Sequence, residues 1–255
     1  MTVQTVLDFL FQLAPRDYAM SWDNVGHLLG RREAPVTRVL VALDATPDVA
    51  KEATALGCQL IVTHHPVIFN PIRHLTDADP MTRTALHLLE QGIAVISMHT
   101  NLDCVPGGVT DELARLLDLE RVEILPNGEQ PGVIRVGEVA PTTLPEFAAL
   151  VKARLGCEGL RCTDGGKPVR RVAMCGGAGM DFIEQVMRSG CDTFVTADVR
   201  YHEFQEVQIR GLNLIDAGHF QTENPICTLL RGKLAAAFPE MEVLLSKHGD
   251  CIRFF

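Results

Sequence analysis

The chain contains no run of 18 apolar residues, no C-x-x-C pair, no stripe of clustered lysine and arginine, and no Walker-type phosphate loop. Each absence removes a class of function. A membrane-spanning helix needs roughly 20 apolar residues in succession. Zinc fingers and iron–sulfur proteins take their thiolates in closely spaced pairs, whereas the eight cysteines here are irregularly spaced and read as reduced, buried thiols of a cytoplasmic protein. A nucleic-acid surface needs a concentrated excess of positive charge, and the formal net charge is −9. The first residues carry no basic leader, and Val3, Val6, Leu7, Leu10 and Leu13 recur at helical spacing, which argues for an amphipathic helix and against a signal peptide.

At 255 residues and 47% hydrophobic content, the chain has enough material for one large or two small domains with a proper core. An internal repeat favours two. RVLVALDATPDVAKEATALGCQLIVTHH, from Arg38, aligns without gaps to RVAMCGGAGMDFIEQVMRSGCDTFVTAD, from Arg171, at an offset of 133 positions. Each copy predicts strand, helix, strand: an apolar run, a helix opening near Pro47 or Asp181, and a glycine stop at Gly57 or Gly190. Such βαβ units imply parallel strands with right-handed crossovers. The expected fold is therefore α/β, with two related domains from a duplication. Turn residues in RVEILPNGEQPG, from Arg121, suggest a boundary between the halves. The expected divisions are residues 1–125, 126–216, and a C-terminal segment 217–255 that returns to the first domain.

Five of the nine histidines (His64, His65, His99, His202 and His219) lie just beyond apolar runs that read as strands. In open parallel sheets ligands bind beyond the carboxyl ends of strands, and neutral imidazoles held there present metal ligands at little ordering cost. His64 and His65 close LIVTHHPVIF, His99 and Asp103 follow in MHTNLD, and His219 and Glu223 stand four apart in GHFQTE. That spacing puts both on one face of a helix if one begins near Gln221. Where the second repeat should carry the histidine pair it has Ala197 and Asp198, so only one half could hold a full site. The run Gly176-Gly177-x-Gly179 reads more readily as a tight turn before a helix than as a phosphate loop.

WDNVGHLLG near Trp22, THHPVIF, HTNLD, TADVRYHE near Asp198 and GHFQTE resemble, in order and spacing, the GTP cyclohydrolase 1 type 2 homologue family, also called Ngg-interacting-factor-three-like. The resemblance spans nearly the whole chain. It implies a two-domain α/β protein with a dinuclear metal site, assembled as a toroidal homohexamer, with ligands on His64, His65, Asp103, His219 and Glu223. His27 and Ala197 depart from residues common in the family, and neither touches a ligand position.

Three histidines and two carboxylates exceed the needs of one tetrahedral ion and suit two divalent ions, zinc, iron or manganese, with Glu223 as bridge and Asp103 on one metal. The first functional expectation is a hydrolase of a nucleotide or phosphoester-like small molecule, in which the metal pair lowers the pKa of a bridging water and supplies hydroxide. His99 and His202 are the candidates for catalytic proton transfer, with orientation of the ligands as the competing role. The alternative is a metal-handling or regulatory protein that uses the same ligands without turnover. No nucleic-acid or membrane partner is expected.

Overall fold

The computed structural model describes residues 1–126 and 132–255. Along the first part of the chain run α1 (Val3–Leu13), β1 (Gly26–Leu29), β2 (Arg38–Ala42), α2 (Pro47–Ala55), β3 (Leu60–Thr63), α3 (Pro80–Glu90), β4 (Ala94–Ser97) and α4 (Thr100–Cys104). There follow α5 (Val109–Leu116), β5 (Glu120–Ile124), β6 (Arg135–Thr142), α6 (Leu144–Leu155), β7 (Arg161–Thr163), β8 (Val169–Ala178), α7 (Ile183–Arg188), β9 (Thr193–Ala197), α8 (Tyr201–Ile209), β10 (Asn213–Asp216) and α9 (His219–Glu223). The chain ends in α10 (Pro225–Ala237) and β11 (Glu242–Leu245). No helix among the described residues is long and apolar enough to cross a membrane.

Two compact units result: Met1–Val105 with Ile226–Gly249, and Pro106–Pro225 with Asp250–Phe255. The sequence puts divisions at 125 and 216. The first unit ends earlier because α5 is amphipathic and buries Leu113 and Ala114, with Leu117 beyond it, among core residues of the second sheet. Of the turn-rich stretch that suggests a boundary, the start forms β5, and 127–131 lie outside the described residues.

The first unit is a five-stranded sheet in the order β1-β4-β3-β2-β11, parallel except for β1. Its central strands LIVT and AVIS are buried at every position, the pattern of parallel strands covered on both faces. Helix α1 starts from a capping box between Thr2 and Thr5 and buries Val3, Val6, Leu7 and Leu10 as one stripe. Helix α2 opens with Thr46 as N-cap and proline at its first position.

The second unit is a six-stranded mixed sheet in the order β5-β6-β8-β9-β10-β7. Its repeat copy, β8-α7-β9, keeps the register of the first: Val39 pairs with Leu60 in β2/β3, and Val172 with Thr193 in β8/β9. The connecting helix differs in its start. Where the first copy has Thr46-Pro47 to cap and open a helix, the second has Gly179-Met180, and a 3-10 turn over Met180–Phe182 precedes α7. The glycines that end α2 and α7, Gly57 and Gly190, are both left-handed at φ +66° and +75°.

Candidate metal centre

In the first unit three parallel strands deliver their carboxyl ends side by side: Ala42 pairs with Thr63, and Thr63 with Ser97. Asp44 follows β2, His64 and His65 follow β3, and His99 follows β4. The histidine pair is held by its backbone. His65 N donates to Leu43 O (3.0 Å), and the buried hydroxyls of Thr63 and Ser97 both donate to His65 O (2.7 and 3.2 Å). The three rings cluster with centroids 4.9 to 5.5 Å apart, and His64, His65 and His99 each offer a ring nitrogen within 4.8 Å of the others. Asp103, one turn into α4, brings Oδ1 to 3.6 Å from His64 Nε2.

Each ring is oriented by its Nδ1. His64 Nδ1 donates to Met98 O (2.8 Å), His65 Nδ1 to Asp44 Oδ1 (2.8 Å) and His99 Nδ1 to Asp23 Oδ1 (2.8 Å). A carbonyl or carboxylate only accepts, so Nδ1 must carry the proton and the lone pair of each neutral ring resides on Nε2. This is the arrangement by which proteins aim imidazoles at metals. Asp23 also accepts from the backbone and hydroxyl of Thr100. Burial alone would raise its pKa, but the hydrogen bonds from His99 and Thr100 outweigh that and hold it at about 2.

In the second unit β9 and β10 end beside one another, and Asp216 ties their exits together by accepting from Val199 N (3.1 Å) and Gly218 N (3.1 Å). Helix α9 begins at His219 itself, two residues before the start near Gln221 that the sequence suggests, because the left-handed Gly218 (φ +86°) turns the chain directly into it. The four-residue spacing then works as expected. His219 Nε2 lies 3.0 Å from Glu223 Oε2, and His219 Nδ1 lies 2.7 Å from Asp198 Oδ2. Burial opposes a charge on His219, yet Glu223 and Asp198 prevail and raise its pKa to about 9. The two carboxylates thus favour a positive charge on the ring, and a divalent ion on Nε2 would take the place of a proton.

Asp198 occupies the repeat position of His65, in a left-handed conformation (φ +56°) that aspartate tolerates better than most residues. It aims a ring where its counterpart is one. The glycine run before α7 turns its N–H groups inward: Gly176, Gly177 and Gly179 donate to Thr110, Thr222 and Thr196 respectively. Gly177, left-handed at φ +60°, makes room for His219 and Glu223, since a Cβ there would collide with Glu223 Oε1 and come within 3.1 Å of His219 Nε2.

Both sets suit a divalent cation, with imidazoles aimed through Nε2 beside carboxylates, and these groupings can hold a metal. His202, by contrast, is exposed in the first turn of α8 and joins no such grouping among the described residues. Sequence reasoning misses the orienting carboxylates Asp23, Asp44 and Asp198. Two of them stand inside the quoted motifs WDNVGHLLG and TADVRYHE, so the signal was there; Asp44 has none beyond its place after an apolar run. Six cysteines are buried, and only Cys162 and Cys251 are exposed.

Residues 1–250 match the model of the family Duf34/NIF3 (NGG1p interacting factor 3). A GTP cyclohydrolase 1 type 2 homolog of Clostridium perfringens is 32% identical over 255 residues, covering 98% of this chain and 97% of that one. A protein of the same description from Nostoc sp. is 38% identical over 223 residues, covering 86% and 85%. Among solved structures, Staphylococcus aureus protein SA1388 superposes with a TM-score of 0.92 at 28% identity, covering 100% of this chain and 99% of that one. The chain belongs to the Duf34/NIF3 family.

Proposed function

We propose that this protein is a metal-dependent hydrolase of a nucleotide or phosphoester-like substrate, with a dinuclear metal site and His64, His65, Asp103, His219 and Glu223 as its ligands. The observation that carries the reading is the shared commitment of Nδ1: His64, His65 and His219 each donate through it to a carbonyl or carboxylate, so Nε2 is the nitrogen each presents. The curated relatives described as GTP cyclohydrolase 1 type 2 homologs favour a nucleotide. Two divalent ions, when bound, acidify a water molecule and clamp substrate oxygens.

The chain's own residues have distinct tasks. Glu223, buried against Gly177, would hold a cation through its carboxylate, and Asp103 would offset cation charge beside His64. His99 stands among the ligand histidines with its Nδ1 proton held by Asp23, so its Nε2 accepts a proton from the attacking water or returns one to the leaving group. His202 has no comparable setting, and we assign proton transfer to His99 alone. The homohexamer implied by the resemblance belongs to this proposal.

Elemental analysis tests the site: purified protein should carry up to two divalent ions per chain, and His64→Ala and Glu223→Ala should each lower that number. Unchanged stoichiometry in both variants sinks the ligand assignment. Turnover over a nucleotide and phosphoester panel tests the reaction, with Asp103→Asn lowering kcat far more than it perturbs folding, and His99→Gln costing about 10²-fold. A fully metallated, folded protein inert across the panel refutes the hydrolase reading.

A further inference from the structure

The chain has one tryptophan, and it is 60% exposed. A lone exposed apolar residue needs no explanation, but Trp22 is not alone. Its ring lies 5.8 Å from that of Phe69, itself 42% exposed, and both rings lie against His99, at 6.1 and 6.2 Å. Two large aromatic faces are thus turned to solvent beside the histidine cluster at the strand ends, where buried positions would have been worth roughly 1.5–3 kcal/mol each to the fold.

The three residues of the W-D-N motif make the arrangement rigid. Trp22 supplies the face. Asp23 accepts from His99 Nδ1 (2.8 Å) and Thr100 N (3.0 Å), which locks the tryptophan's backbone to the start of α4. Asn24 Nδ2 donates to Ile68 O (2.6 Å), which fixes the residue just before Phe69. Each jaw is therefore tied by a hydrogen bond that its neighbour in sequence accepts, and little conformational freedom remains to be lost when something lies on the rings.

We propose that Trp22, braced by Phe69, is the stacking platform for the planar heteroaromatic ring of the molecule processed at the histidine cluster. An aromatic face binds every nucleobase through stacking and is indifferent to its hydrogen-bonding edge. A ring lying flat on the indole takes the indole's own angle to His99, 72°, and meets the imidazole edge to face instead of stacking on it. The inference rests on the proposed function for the role of the histidines, and it narrows the substrate class to compounds with a planar aromatic ring.

Because Trp22 is the sole tryptophan, its fluorescence reports the platform directly. Guanosine is the probe, with ribose 5-phosphate as the control that lacks a ring, each titrated into metal-loaded protein with metal content measured in parallel. Guanosine should quench the emission saturably and ribose 5-phosphate should not. By calorimetry, Trp22→Ala should weaken guanosine binding roughly 10- to 100-fold while Trp22→Phe keeps most of it. Metal content should not change in either variant. Guanosine binding with equal affinity in Trp22→Ala, or an absence of quenching and heat in fully metallated wild type, overturns the platform and leaves the metal reading intact. Quenching by guanosine in protein that takes up no metal supports the platform and removes the metal reading.

Discussion

Replacing Asp23 by asparagine tests whether the carboxylate beneath His99 is as firmly charged as its surroundings imply. Its side chain is fully covered, and its pKa stands at about 2 against an ordinary 3.8. At 1.36 kcal/mol per pH unit, that drop is worth about 2 kcal/mol of folding free energy. Because the folded value lies below the unfolded one, the contribution is fully present above about pH 4 and disappears as pH falls through 2. Asparagine keeps one acceptor oxygen for His99 Nδ1 but turns an N–H₂ donor toward the Thr100 N–H, or the reverse. The variant should therefore unfold about 2 kcal/mol more easily at pH 7, a fall in Tm of roughly 4–8 °C by scanning calorimetry. By pH 3 the gap between wild type and variant should shrink to about half, since the wild-type carboxylate has lost much of its advantage. Equal stability at pH 7, or a gap of the same size at pH 3, would refute the reasoning, because either result means that the charge on Asp23 is not what its partners hold in place.

Gly177→Ala should destabilise by about 2 kcal/mol and lower metal content, since it adds a left-handed strain to a collision with Glu223; Gly190→Ala, left-handed but open, is the control that costs about 1 kcal/mol and leaves metal content alone. Asp198→Asn should weaken metal binding roughly 10- to 100-fold in a chelator competition, with the fold retained, because it loosens His219 without removing a ligand. Brief iodoacetamide treatment followed by mass spectrometry should label Cys162 and Cys251 first, and spare Cys58 and Cys157, whose thiols burial pushes up to about 11. Early labelling of Cys157 would contradict its packing in the second core.

The α/β class, the duplication and the strand ends that carry chemistry were legible in sequence because they depend on local pattern. LIVT and AVIS are too short and too apolar to be anything but central strands, and a period of strand, helix, strand repeated with its glycine stops requires the same register twice. Histidines at the ends of such runs identify themselves for the same reason. Which atoms those histidines present was not legible. The partners of His65, His99 and His219 lie 21, 76 and 21 positions away along the chain, and no periodicity links them. Folding alone brought Asp44, Asp23 and Asp198 under the rings. The same holds for Asp198 pairing with a histidine from the position where the first repeat has His65, for the glycine run that clears space for Glu223, and for the paired exposure of Trp22 and Phe69. Sequence determines what is apolar and where the chain must turn, because those preferences act over a few residues. Orientation of a side chain depends on what packs against it from elsewhere in the chain, and only the tertiary structure supplies that.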